Sequence, residues 1–76
     1  MIFRLKRLDQ LIKGQSAIID SFTDLSTSLK LMELGCIPGT EVIMDSVAPL
    51  GDPIAIEFSG SKISLRKSEA ATVIVK

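Results

Sequence analysis

The chain has 76 residues, 46% of them apolar, with nine basic and nine acidic side chains, no His and a single Cys. That length suits one domain, 1–76, around a single core, and the balanced charge removes the basic field that marks nucleic-acid or acidic-membrane partners. Without His the commonest general base and metal ligand is gone, while a lone Cys makes no internal disulfide, which points to a reducing, cytoplasmic setting.

In chain order, Met1-Ile2-Phe3-Arg4-Leu5-Lys6-Arg7 alternates apolar and basic residues and lacks the continuous apolar run of a signal peptide or membrane span. Leu5, Leu8, Leu11 and Ile12 carry the spacing of a short amphipathic turn or helix, ended by Lys13-Gly14. Ser16–Phe22, with β-branched Ile18 and Ile19, reads as a first strand that stops at Thr23-Asp24. A helix follows, capped by Asp24 or Ser26. Leu25, Leu29 and Met32 fall at i, i+4 and i+7, with Leu31 widening the stripe, and this face is expected to lie over an open end or face of the sheet.

Gly35 stands where a helix ends in a left-handed residue, and Pro38 cannot prolong it. Pro38-Gly39 then sets a turn, so Gly35, Pro38 and Gly39 form a structural hinge between helical and alternating sequence. Beyond it Val42 and Met44 point one way and Glu41 and Asp45 the other, with Ile43 either in a second small cluster or an exposed contact. Ile54, Ile56 and Phe58 alternate in a third strand and Ile63 and Leu65 in a fourth, joined by the hairpin turn Ser59-Gly60-Ser61. Ser68-Glu69-Ala70-Ala71 makes one helical turn before a last strand, Thr72–Val75, that pairs back to close the sheet. Five short strands with turns between them predict a small, partly open barrel.

Little here has the look of catalysis. Cys36 has neither a His nor a second Cys beside it and reads as a small buried or half-buried hydrophobe. Asp20, Asp24, Asp45 and Asp52 are scattered, without the spacing of a calcium loop, and no phosphate-binding glycine loop is present, so no catalytic, cofactor or metal residue is assigned. The unusual segment is Val47-Ala48-Pro49-Leu50-Gly51-Asp52-Pro53, with two prolines, a glycine and one large apolar residue. Leu50 either folds back to cap the core or is presented to a partner protein on a stiffened loop. Lys62, Arg66 and Lys67 read as a solvated strand face, with a binding patch as the alternative.

Three segments together resemble a known family. They are Leu31-Met32-Glu33-Leu34-Gly35-Cys36-Ile37-Pro38-Gly39-Thr40-Glu41-Val42, Ala48-Pro49-Leu50-Gly51-Asp52-Pro53-Ile54, and Ile63-Ser64-Leu65-Arg66-Lys67-Ser68-Glu69-Ala70. In order and spacing they are similar to the signature of the ferrous iron transport protein A family, FeoA, over about Leu8 to Val75. Cys36 departs from it, standing where the family usually has a larger apolar residue, and Ser28-Leu29-Lys30 lacks an arginine often found there.

The resemblance implies a mainly β, SH3-like barrel of about five strands with one inserted helix. It also implies a non-enzymatic cytoplasmic accessory of bacterial ferrous iron uptake, whose partner is the FeoB membrane transporter with its GTP-binding domain. By the same resemblance Leu50, Gly51, Asp52 and Pro53 are the expected partner-binding loop. The runner-up is the SH3-like regulatory domain of an iron-dependent repressor, against which the expectation is a stand-alone chain from Met1 with no helix-turn-helix upstream. A nucleic-acid-binding barrel would need a basic groove with stacking aromatics, whereas Phe3, Phe22 and Phe58 are few and two of them sit in core-like strand positions.

Overall fold

The computed structural model describes residues 5–76. Phe3 and the alternation of Met1 to Arg4 lie outside the described residues. Six strands, β1 (Lys6–Arg7), β2 (Ser16–Phe22), β3 (Glu41–Val47), β4 (Ile54–Phe58), β5 (Ser61–Leu65) and β6 (Val73–Val75), form one antiparallel sheet in the order β1-β6-β2-β3-β4-β5. Two helices, α1 (Leu25–Glu33) and α2 (Lys67–Ala70), interrupt it, and a 3-10 turn spans Leu8–Gln10.

Alternation decides which faces turn inward. Val42 and Met44 of β3, Ile54, Ile56 and Phe58 of β4, Leu65 of β5 and Val73 and Val75 of β6 are all buried in one core. The register breaks between Ile19 and Ser21 in β2, and between Met44 and Ser46 in β3. Each break leaves one extra residue, Asp20 or Asp45, and such bulges bend and twist a strand, here helping a short sheet to curl around its own apolar face. The β4–β5 hairpin turns on Ser59 (φ 49°) and Gly60 (φ 79°), the paired positive φ values that suit a tight two-residue connection.

Two sequence expectations need correction. Of the short turn or helix expected over Leu5 to Ile12, only a 3-10 turn at Leu8–Gln10 forms, after a two-residue strand that pairs Lys6 with Val75 and Arg7 with Ile74. Leu8 and Leu11, three apart, are buried, whereas Leu5 and Ile12 are exposed, because the 3-10 repeat brings i and i+3 to one side. This strand also raises the count from about five to six.

The second correction concerns α1. Asp24 caps it, its Oδ2 accepting from the Thr27 backbone N–H at 2.9 Å, but the stripe Leu25, Leu29 and Met32 faces outward. The buried side is Thr27, Ser28 and Leu31, and the Ser28 hydroxyl is satisfied within the helix, donating back to the Leu25 carbonyl at 2.7 Å. Lys30, next to that side, reaches across to Glu69 of α2 at 3.2 Å and helps to fix the helix's rotation.

The end of α1 explains why Leu31 is the residue that goes in. The Gly35 N–H donates to the Met32 carbonyl at 3.0 Å and the Cys36 N–H to the Leu31 carbonyl at 2.9 Å, with Gly35 at φ 92°. This pair of bonds is the Schellman closure, which characteristically brings an apolar residue just past the helix against the one five positions earlier. Here those are Cys36 and Leu31, both fully buried. The next turn, Ile37-Pro38-Gly39-Thr40, has Gly39 at φ 94° and is tied to β2: the Gly39 N–H donates to the Ile19 carbonyl at 2.8 Å and the Ile19 N–H to the Thr40 carbonyl at 2.9 Å.

Candidate protein-contact loop

Residues 48–53 connect β3 to β4 and are held by bonds at three places. The Gly51 N–H donates to the Ala48 carbonyl at 2.7 Å, closing a turn with Pro49 and Leu50 at its centre. The Ala48 N–H donates to the Pro53 carbonyl at 3.0 Å, across the base of the loop. Asp52 Oδ1 then accepts from the Lys67 backbone N–H at 2.8 Å, fastening the loop to the first residue of α2. The Asp52–Pro53 peptide bond is cis.

On this braced frame Leu50 is 97% exposed, which overturns the reading in which it folds back over the core. The four residues assigned to the loop do not present alike. Leu50 stands out at the tip, Gly51 supplies a positive φ of 87°, and Asp52 turns one carboxylate oxygen inward to α2. Pro53 ends the loop, exposed, one residue before the buried Ile54.

The basic row differs from a single strand face. Lys62 lies in β5 and pairs with Asp45 at 3.3 Å, whereas Arg66 is the residue before α2 and Lys67 its first. Glu69 accepts from the Arg66 backbone N–H at 2.9 Å and pairs with Lys30; the first of these, then the second, holds its carboxyl below the ordinary value of 4.5.

Elsewhere the chemistry is quiet. Burial pushes the Cys36 thiol up to about 11, so at neutral pH it carries no thiolate to speak of. Among the described residues no group of three or more His, Cys, Asp or Glu side chains comes together as a metal site. An open pocket of about 210 Å³ lies between the ends of β1 and β6 and the start of β2, with Leu11, Ala17 and Val75 beside Lys6, Ser16 and Lys76. No helix among the described residues is long and apolar enough to cross a membrane.

Comparison with known proteins places the chain. The FeoA domain family matches residues 6–76. The chain belongs to the FeoA domain family. A FeoA-like protein from Clostridium acetobutylicum is 32% identical with a TM-score of 0.86, the match covering 99% of this chain and 88% of that one. FeoA from Stenotrophomonas maltophilia, a zinc complex described as a prokaryotic SH3 domain protein, is 33% identical over 93% of this chain and 89% of that one, with a TM-score of 0.82. The fold is accordingly an SH3-like one. A manganese-dependent transcriptional repressor superposes at a TM-score of 0.86 over 99% of this chain and 37% of that one. At 13% identity that likeness concerns the fold alone.

Exposure of Leu50 was the feature that sequence could not decide, since a turn of Pro, Leu and Gly serves equally to cap or to project. The outward stripe of α1 was missed altogether. Its signal lay in Thr27 and Ser28, small hydroxyl residues that can be buried when the hydroxyl bonds back to the helix, as that of Ser28 does to the Leu25 carbonyl.

Proposed function

We propose that this chain is a small, non-catalytic cytoplasmic accessory of bacterial ferrous iron uptake that binds the cytoplasmic part of a FeoB-type transporter. Contact is made through Leu50, Gly51, Asp52 and Pro53. The observation that carries this reading is a leucine 97% exposed at the tip of a hydrogen-bonded loop. A large apolar side chain left in water by a braced loop loses little conformational entropy when it is covered, which is the property of a contact anchor. Membership of the FeoA family supports the transport setting, as does the Stenotrophomonas relative, described as a candidate ferrous iron transport activating factor.

Calorimetric titration of this protein into the transporter, with and without guanine nucleotide, tests the proposal. Saturable binding that disappears in Leu50→Asp is the expected result, and a dependence on nucleotide would make the contact regulatory. Heat that is unchanged in Leu50→Asp would remove the loop from the contact, and no heat under either condition would remove the transporter as the partner.

A further inference from the structure

The loop does not stand alone at its end of the sheet. The β4–β5 register sets Ile54 opposite Leu65, so the chain leaves β5 at Arg66 beside the point where the loop ends at Pro53. The bond from the Lys67 N–H to Asp52 Oδ1 joins the two segments directly. Charges around them are largely spoken for: Glu69 pairs with Lys30, Asp45 with Lys62, and Asp52 accepts from a backbone N–H. The exposed side chains of Arg66 and Lys67 have no ion-pair partner among the described residues.

We infer that Leu50, Arg66 and Lys67 form one contact unit whose counterpart is a protein surface with an apolar socket rimmed by carboxylates. This rests on the accessory reading above and adds the chemistry of the surface that is met. Leu50 fills the socket and governs how long the complex lasts, while the two cations at the rim draw the partner in. A protein fits better than an anionic bilayer, because lipid recognition of this kind draws on clusters of about four to eight basic residues or on a continuous apolar face. Here there are two unpaired cations and one leucine at the tip.

Association and dissociation rates with the full-length transporter, held in nanodiscs of neutral lipid, test this between about 50 and about 300 mM salt. The wild-type protein should associate roughly tenfold more slowly at the high-salt end. Arg66→Gln with Lys67→Gln should associate about tenfold more slowly at low salt, lose most of the salt dependence, and dissociate within about twofold of wild type. Leu50→Ala should instead speed dissociation by tenfold or more at an unchanged association rate. Lys62→Gln, whose ammonium is already paired with Asp45, serves as the control and should stay within about twofold throughout.

A double variant that associates like wild type at low salt overturns the inference and leaves the accessory reading standing. Absence of any wild-type binding overturns both. Leu50-dependent binding to empty nanodiscs of anionic lipid replaces the protein socket with a membrane surface and overturns it as well.

Discussion

Two proline–glycine turns sit in this chain in different surroundings. Ile37-Pro38-Gly39-Thr40 is stitched to β2 by two backbone bonds and follows a fully buried Cys36, whereas Ala48-Pro49-Leu50-Gly51 projects a leucine that is 97% exposed. Both have proline second in a turn closed by a backbone bond, but the positive-φ glycine stands third in one, Gly39, and fourth in the other, Gly51, which leaves the third place there to Leu50. The neighbours each can bond to differ as well. The first emerges from a Schellman closure that already delivers an apolar side chain to the core, while the second closes on itself and on the start of α2. Turn composition therefore fixes a bend, and the surrounding hydrogen bonds decide whether the chain beside it enters the core or stands out in solvent.

Substitutions can break that contrast, and the largest effect should come from the buried side. Leu31→Ala should destabilise the fold by about 2–5 kcal/mol in chemical denaturation, as expected for a core leucine, whereas Leu50→Ala should stay within about 0.5 kcal/mol of wild type. Equal losses at the two sites would erase the distinction.

Next in size is Gly35→Ala. A Cβ there meets nothing within 4 Å, so the penalty is the strained φ of 92° alone, about 1–2 kcal/mol. Gly35→Asn should lose less, because Asn tolerates the left-handed region. A neutral Gly35→Ala would contradict the helix closure described above.

A smaller effect is expected from pH. Asp24 is held below its ordinary value of 3.8, first by the Thr27 backbone N–H and then by the Thr27 side chain, and Glu69 below 4.5, first by the Arg66 N–H. A carboxyl with a lowered folded-state pKa contributes stability above its unfolded value and loses it as pH falls through the folded one. Both contributions are thus complete above pH about 5 and fade below pH about 4. Asp24→Asn with Glu69→Gln should flatten the acid limb of the melting curve, and an unchanged limb would show that these caps do not titrate with folding.

The mildest probe leaves the sequence alone: iodoacetamide should label Cys36 only as fast as the protein opens, since the thiol is buried and raised to about 11. Rapid labelling of the folded protein would mean that the hinge region opens by itself.

Much of the fold could be read from local pattern. The strand bounds Ser16–Phe22 and Ile54–Phe58 follow from β-branched alternation between turn residues, and the inward set of Val42, Met44 and Ile56 from period two. The face of α1 could not, because Leu25, Leu29 and Met32 have the spacing of a buried stripe while the helix is oriented from its ends. Nor could the sixth strand, since two residues carry no period and Lys6–Arg7 is a strand only by pairing with β6 across the length of the chain. At the candidate site the loop itself stood out by composition. Its junction with the start of α2 depends on a bond from the Lys67 backbone N–H to Asp52 that no local pattern encodes.

The most direct test of the account is an amide chemical-shift map of this protein, recorded alone and with the transporter added. Shifts should concentrate at residues 48–53 and 66–67, with the hinge at 35–40 unmoved. Shifts centred on the hinge, or on the outward stripe of α1, with the loop silent, would contradict it.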